Sequence, residues 1–152
     1  MSIQAFNQLN EQEIAQLLKA PAQITVLIAG ADNKIDEKET DWGRKIVHFR
    51  SFSSESALHD YYEQVSESFE ASVNELVEKY SVDGANLITK LSEELAQLNE
   101  VLPKIESNYA SLLLKSWRSL AQKVAEASGG IWGFGRVNTE ESKLLDLPML
   151  DA

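Results

Sequence analysis

Carboxylates gather in one stretch of this sequence. Ala31-Asp32-Asn33-Lys34-Ile35-Asp36-Glu37-Lys38-Glu39 sets Asp32, Asp36 and Glu39, with Glu37 among them, between an apolar run and a helical pattern. Hard divalent cations such as Ca2+ and Mg2+ take several oxygen ligands, and a turn between helices leaves backbone carbonyls free to add to the carboxylates. A shallow site with so few ligands would hold its cation weakly and largely hydrated. The same residues also have a purely structural use. Asp36 suits a helix N-cap, and Glu39, three places on, suits the side chain that reaches back to the cap's own N–H. Such a cap contributes about 0.5–2 kcal/mol without any metal. Asp32 is the carboxylate that capping does not explain.

The polar stretch reads as helix, tight turn, helix. Ile24, Val26, Leu27, Ile28 and Ala29 lead into it, and Asn33 tolerates the left-handed conformation in which helices stop. A weaker copy stands near the other end of the chain. Ala127-Ser128-Gly129 lines up with Ala31-Asp32-Asn33, and Val137 to Glu141 with Ile35 to Glu39, around an insertion Gly130-Ile131-Trp132-Gly133-Phe134-Gly135. Asn138 and Glu141 take the cap and box positions there, so an internally duplicated helix-turn-helix is expected. Glu141 then becomes a further carboxylate able to approach the first turn. Counted backwards from Glu39, the first turn resembles the rear half of an EF-hand loop. The front positions, however, fall on Ile28 and Gly30, which offer no side-chain oxygen, so it is not an EF-hand.

These two turns resemble the hallmark of the tellurite-resistance TerB-like family. That hallmark is alanine, aspartate, glycine, then isoleucine, aspartate, two residues and glutamate, in two copies within one all-helical domain. Here Asn33 stands at the first turn's glycine and Ser128 at the second's aspartate. The resemblance implies a bundle of about seven helices, a cytoplasmic role in stress response, no established catalysis, and a divalent cation held by acidic residues at the turns. Carried onto this chain, the metal residues would be Asp32, Asp36, Glu39 and Glu141.

Composition narrows the alternatives. One domain over residues 1–152 is expected, with 43% hydrophobic residues and few breakers. Without cysteine there is no disulfide, zinc–thiolate site or cysteine nucleophile. The two histidines, His48 and His59, lack the spacing that would pair them as zinc ligands. No serine elbow or glycine-rich phosphate loop occurs, and nothing sets a nucleophile beside a base, so no catalytic or cofactor-binding residue is assigned. A net charge of −10 opposes contact with nucleic acid or anionic lipid and favours cations or a basic protein partner. The polar N-terminus lacks a secretory leader, and the longest apolar run, near residues 24–31, is too short to span a bilayer. A soluble cytoplasmic protein is the expectation.

The elements that must position the carboxylates read as all-α. A first helix runs from an Asn10 cap, with Glu13 completing its box, to about Lys19. A second, apolar on nearly all sides and therefore central, runs from Pro21 to Ala31. The third, Glu37 to about Phe49, presents Trp42, Ile46, Val47 and Phe49, with Gly43 permitting close packing at a helix cost of about 1 kcal/mol. The basic cluster Arg44, Lys45 and Arg50 is expected to balance the acidic turn.

A long fourth helix, capped by Ser53 or Ser54 and ending near Tyr80, carries Leu58, Tyr62, Val65, Phe69, Val73, Leu76, Val77 and Tyr80 on one stripe. Asp60, Glu63, Glu67 and Glu70 lie on another, either a solvated face or a dock for a basic partner. A fifth helix follows on Leu87, Leu91, Leu95, Leu98 and Leu102, joined so closely to the fourth that a hairpin is predicted. The sixth starts or kinks at Pro103 and carries Ile105, Tyr109, Leu112, Leu113, Trp117, Leu120, Val124 and Ala127. A short seventh spans Thr139 to about Leu145. The Gly130–Gly135 loop is either a lid on the core or an exposed apolar tip. A non-enzymatic domain holding a cation is the first reading; a protein-interaction module whose acidic turn only caps helices is the second.

Overall fold

The computed structural model describes residues 3–31, 35–53, 57–129 and 144–150. Among them are five α-helices and no strand: α1 (Glu11–Ala29), α2 (Glu37–Phe52), α3 (His59–Val82), α4 (Leu87–Ala96) and α5 (Ser107–Gly129), linked in part by single 3-10 turns. The all-α reading holds, but the expected seven helices become five. The predicted seventh, Thr139 to Leu145, lies outside the described residues except for its last two. The expected duplication also lacks its second member among the described residues, because the turn after α5 falls outside them. One helix-turn-helix of that kind is seen, α1 with α2.

The other loss is physical. The predicted first and second helices are one, with Pro21 inside it. A mid-helix proline cannot donate to the carbonyl four residues back and usually breaks the helix. Here that carbonyl belongs to Leu17, and it accepts instead from the Tyr61 hydroxyl of α3 at 2.6 Å. Trp117 of α5 in turn donates its indole N–H to the same hydroxyl at 3.1 Å. Leu17, Tyr61 and Trp117 are all completely buried. A three-helix relay therefore supplies the donor that Pro21 lacks.

From Ala20 to Ala29 every residue of α1 is buried, so the apolar-all-round segment is indeed the central element. α2, α3, α4 and α5 all pack on it. At its start Asn10 and Glu13 form the expected capping box, with both backbone-to-side-chain bonds made at 2.8 and 3.0 Å. Glu13 also receives the Lys104 ammonium, which ties the first turn of α1 to the 3-10 turn Leu102–Lys104. The Lys104 and Asn10 hydrogen bonds hold the Glu13 carboxyl below its usual value.

Gly43 of α2 meets Thr25 of α1 so closely that an added Cβ would lie 2.5 Å from the threonine methyl. The predicted close approach at this glycine is thus made. The predicted hairpin between the fourth and fifth helices is not: α4 leaves α3 through the 3-10 turn Gly84–Asn86 and packs on α1 instead. Its leucines Leu87, Leu91 and Leu95 are fully buried there. Leu98 and Leu102, expected on the same helix, are buried from two further 3-10 turns. Pro103 sits in the second of these, and α5 begins four residues later.

The start of α3 also differs from expectation. Leu58 occupies the N-cap position without any side-chain cap, and Ser53 ends α2 instead. The stripe predicted for this helix is otherwise buried, Val77 in part. The C-terminal segment is held by Arg118 to the Asp146 carbonyl and Asn99 to the Met149 carbonyl, with Leu144, Leu147 and Leu150 buried beneath.

Candidate functional site

The corner between α1 and α2 is built from its backbone outward. α1 ends at Ala29, and its carbonyl accepts from the Asp36 N–H at 3.0 Å, which fixes where the chain re-enters a helix. Asp36 is the predicted N-cap: one carboxylate oxygen accepts from the N–H groups of Lys38 and Glu39 at 2.8 and 3.2 Å. The predicted box with Glu39 is corrected, because the N–H that it would cap is given to Ala29. Glu39 instead turns inward and is 2% exposed, beside buried Thr40.

Of the four residues proposed as metal ligands, Asp36 and Glu39 are described, while Asp32 and Glu141 lie outside the described residues. The two described ones do not make a cation site by themselves. One carboxylate is engaged as a cap and the other faces into the bundle, far short of the six to eight oxygens that Ca2+ takes. Among the described residues no group of three or more histidines, aspartates or glutamates could hold a metal ion. The insertion loop Gly130–Gly135, with Trp132, also falls outside them.

The basic cluster is not turned toward this corner as a unit. Arg44 bonds Asp41 at 2.6 Å and the Asn74 side chain of α3 at 2.9 Å. Arg50 reaches the other way, to the Tyr62 hydroxyl, the Ser116 carbonyl and the Ser119 hydroxyl of α5 at 2.8, 3.0 and 3.3 Å. These arginines fasten α2 to α3 and α5. His59 lies near Glu63 of its own helix, and His48 meets the Phe52 ring edge-on, so the histidines have no joint site.

Comparison of the chain with models of protein families, with curated proteins and with solved structures finds no match.

The surface has one feature that the sequence reading did not separate out. Of the residues that this helix presents, Ile46 and Val47 are buried, while Trp42 and Phe49 are 44% and 71% exposed, and Phe52 is 66% exposed. The geometry of a helix accounts for this. Gly43 must face α1, and with it Glu39, Thr40, Ile46 and Val47 form the buried face. At 3.6 residues per turn, Lys38, Trp42, Lys45, Phe49 and Phe52 then fall within an arc of about 80° on the far side. Gly43 was the available signal: once its side of α2 is buried, Phe49 and Phe52 cannot be. Beside this stripe a furrow of about 310 Å³ between α2 and α3 includes Lys45, Val47, His48 and Phe69 in its walls. The Lys45 ammonium stands 5.6 Å from the Trp42 ring centroid.

Proposed function

We propose that this chain is a protein-interaction module that presents the outer face of α2 to a partner, with the acidic corner serving to cap and seat that helix. The observation that carries this reading is the row of three large aromatic side chains, Trp42, Phe49 and Phe52, standing in solvent along one helix. Single exposed apolar residues are ordinary, but aromatics aligned on one face form a patch of the kind that marks interaction sites. The face is also rigidly backed. Gly43 seats α2 against α1, and Arg44 and Arg50 clamp it to α3 and α5. Preorganised aromatics lose little freedom on binding, which favours them as anchors.

The test is a photoreactive residue placed at Phe49 in the whole chain, with Glu67 on the solvated side of α3 as the comparison position. Irradiation in the cells that make the protein is expected to give a discrete adduct from position 49 and none from 67. Adducts from neither position, or from 67 alone, would remove α2 from the function.

A further inference from the structure

We infer that the occupant of the α2 face is an amphipathic helix that carries carboxylates beside its apolar stripe. The inference rests on α2 as the interaction face and adds the shape and charge of what binds there. Shape comes from spacing. Lys38, Trp42, Lys45, Phe49 and Phe52 follow one another at intervals of four, three, four and three. That is the seam by which two helices pack side by side at a shallow angle. From Lys38 to Phe52 the seam is roughly 21 Å long at 1.5 Å per residue, enough for about four turns of a partner helix. A partner strand would need a sheet edge to extend, and no strand occurs among the described residues.

Charge comes from the local sequence. Between Trp42 and Phe52 stand Arg44, Lys45, Arg50 and His48, and no acid, in a chain of net charge −10. The nearest exposed acid before them, Asp41, is paired with Arg44, and Arg50 is turned toward α5, which leaves Lys38 and Lys45 as the bases of the seam itself. α5, which also flanks α2, continues the bias: it carries Lys115, Arg118 and Lys123 against the single acid Glu126. The acids are concentrated instead along α3 at Asp60, Glu63, Glu67, Glu70, Glu75 and Glu78, and of these Glu70 lines the furrow beside Lys45 and His48. Since charges are screened beyond about 8 Å at physiological salt, a partner lying on α2 responds to the bases around it more than to the net charge. The aromatics then supply affinity, and the lysines select carboxylates over other lysines at the rim.

Two synthetic peptides test this on the whole chain. Both are helical with leucines at four-three spacing; one has glutamates flanking the leucines and the other lysines. Binding is measured by calorimetry, and the site by the indole resonance of Trp42, assigned with W42F. The glutamate peptide is expected to bind and to move that resonance. Its affinity should fall about tenfold or more in F49A/F52A, as for loss of anchor residues. K38E/K45E should invert the preference between the peptides. Helical circular dichroism checks that these exposed-site variants remain folded. Equal or tighter binding of the lysine peptide to the unmodified chain overturns the proposal. So does binding to phosphatidylserine-containing vesicles in place of the peptide, or self-association of the chain through this face in sedimentation. Should neither peptide bind while Phe49 still crosslinks in cells, the face stands and its occupant is not an acidic helix.

Discussion

Pro21 and Tyr61 form a pair that neither residue suggests alone. Tyr61 appears in the sequence only as the neighbour of a stripe residue, and nothing around Pro21 indicates that a hydroxyl from another helix will take the place of its missing N–H. Removing that hydroxyl with Y61F leaves the Leu17 carbonyl without its donor and the Trp117 indole without its acceptor, both in the dry core. Unsatisfied buried groups of this kind cost about 1–3 kcal/mol each. Urea denaturation should register a loss of that order. P21A restores an N–H four residues after Leu17, so it should be less harmful, or even favourable, when combined with Y61F than its separate effect implies. A double-mutant cycle reads that coupling, and strict additivity would count against the relay. The Asn10–Glu13 box, by contrast, was legible because every atom involved lies within four residues. At Asp36 the cap was legible and the box was not, since the competing acceptor, Ala29, reaches it across the turn.

Elements were legible where periodicity alone decides them and illegible where a neighbour decides. The stripes of α3 and α5 stand nearly as read, with Leu112 the clear exception at 40% exposed. The division of α1 at Pro21 failed because the repair comes from α3. The hairpin failed because a short turn constrains the chain's direction less than the buried leucines of α4 constrain its partner, which is α1. On α2 the apolar residues divide between two faces, since Trp42 and Phe49 cannot share a side with Gly43 and Val47. Gly43 itself offers a direct check of how α1 and α2 fit. In G43A the new Cβ would stand 2.5 Å from Thr25 Cγ2 and 2.9 Å from its Oγ1, atoms of a short, stiff side chain. Despite the better helix propensity of alanine, overpacking should win and cost about 1–3 kcal/mol. A midpoint unchanged or raised in thermal denaturation would show that the helices have room to separate.

At the scale of the molecule, charge and burial divide differently. The net charge was legible at once, but not its distribution: Asp60, Glu63, Glu67, Glu70, Glu75 and Glu78 crowd α3, while residues 42–52 of α2 hold bases and no acid. The acidic corner was legible as a corner: Asp36 caps α2 and Glu39 is buried in its first turn, while Asp32 and Glu141 lie outside the described residues. Burial has a pH consequence spread over the fold. All four tyrosines are raised above the ordinary value by removal from water: Tyr61 far above, Tyr62 and Tyr80 above, and Tyr109 to about 12. A group raised in the folded state holds its proton more firmly there than in the unfolded chain. Its stabilisation is therefore complete below the unfolded value, about 10, and is lost as pH climbs through the folded one. Tyrosinate absorbance should be delayed beyond pH of about 10 and should then rise together with the loss of helical circular dichroism. A simple titration centred at the free-tyrosine value, with the helices intact, would contradict the burial of these rings.

The bond from Tyr61 to Leu17 spans 44 residues, and that separation has a temporal meaning. During synthesis the first half of α1 leaves the ribosome long before its missing donor exists. Until α3 has been made and has docked, the Leu17 carbonyl goes without that donor, and the helix is weakest at Pro21. A fragment cut anywhere ahead of α3 forfeits the contact that mends the helix at its proline.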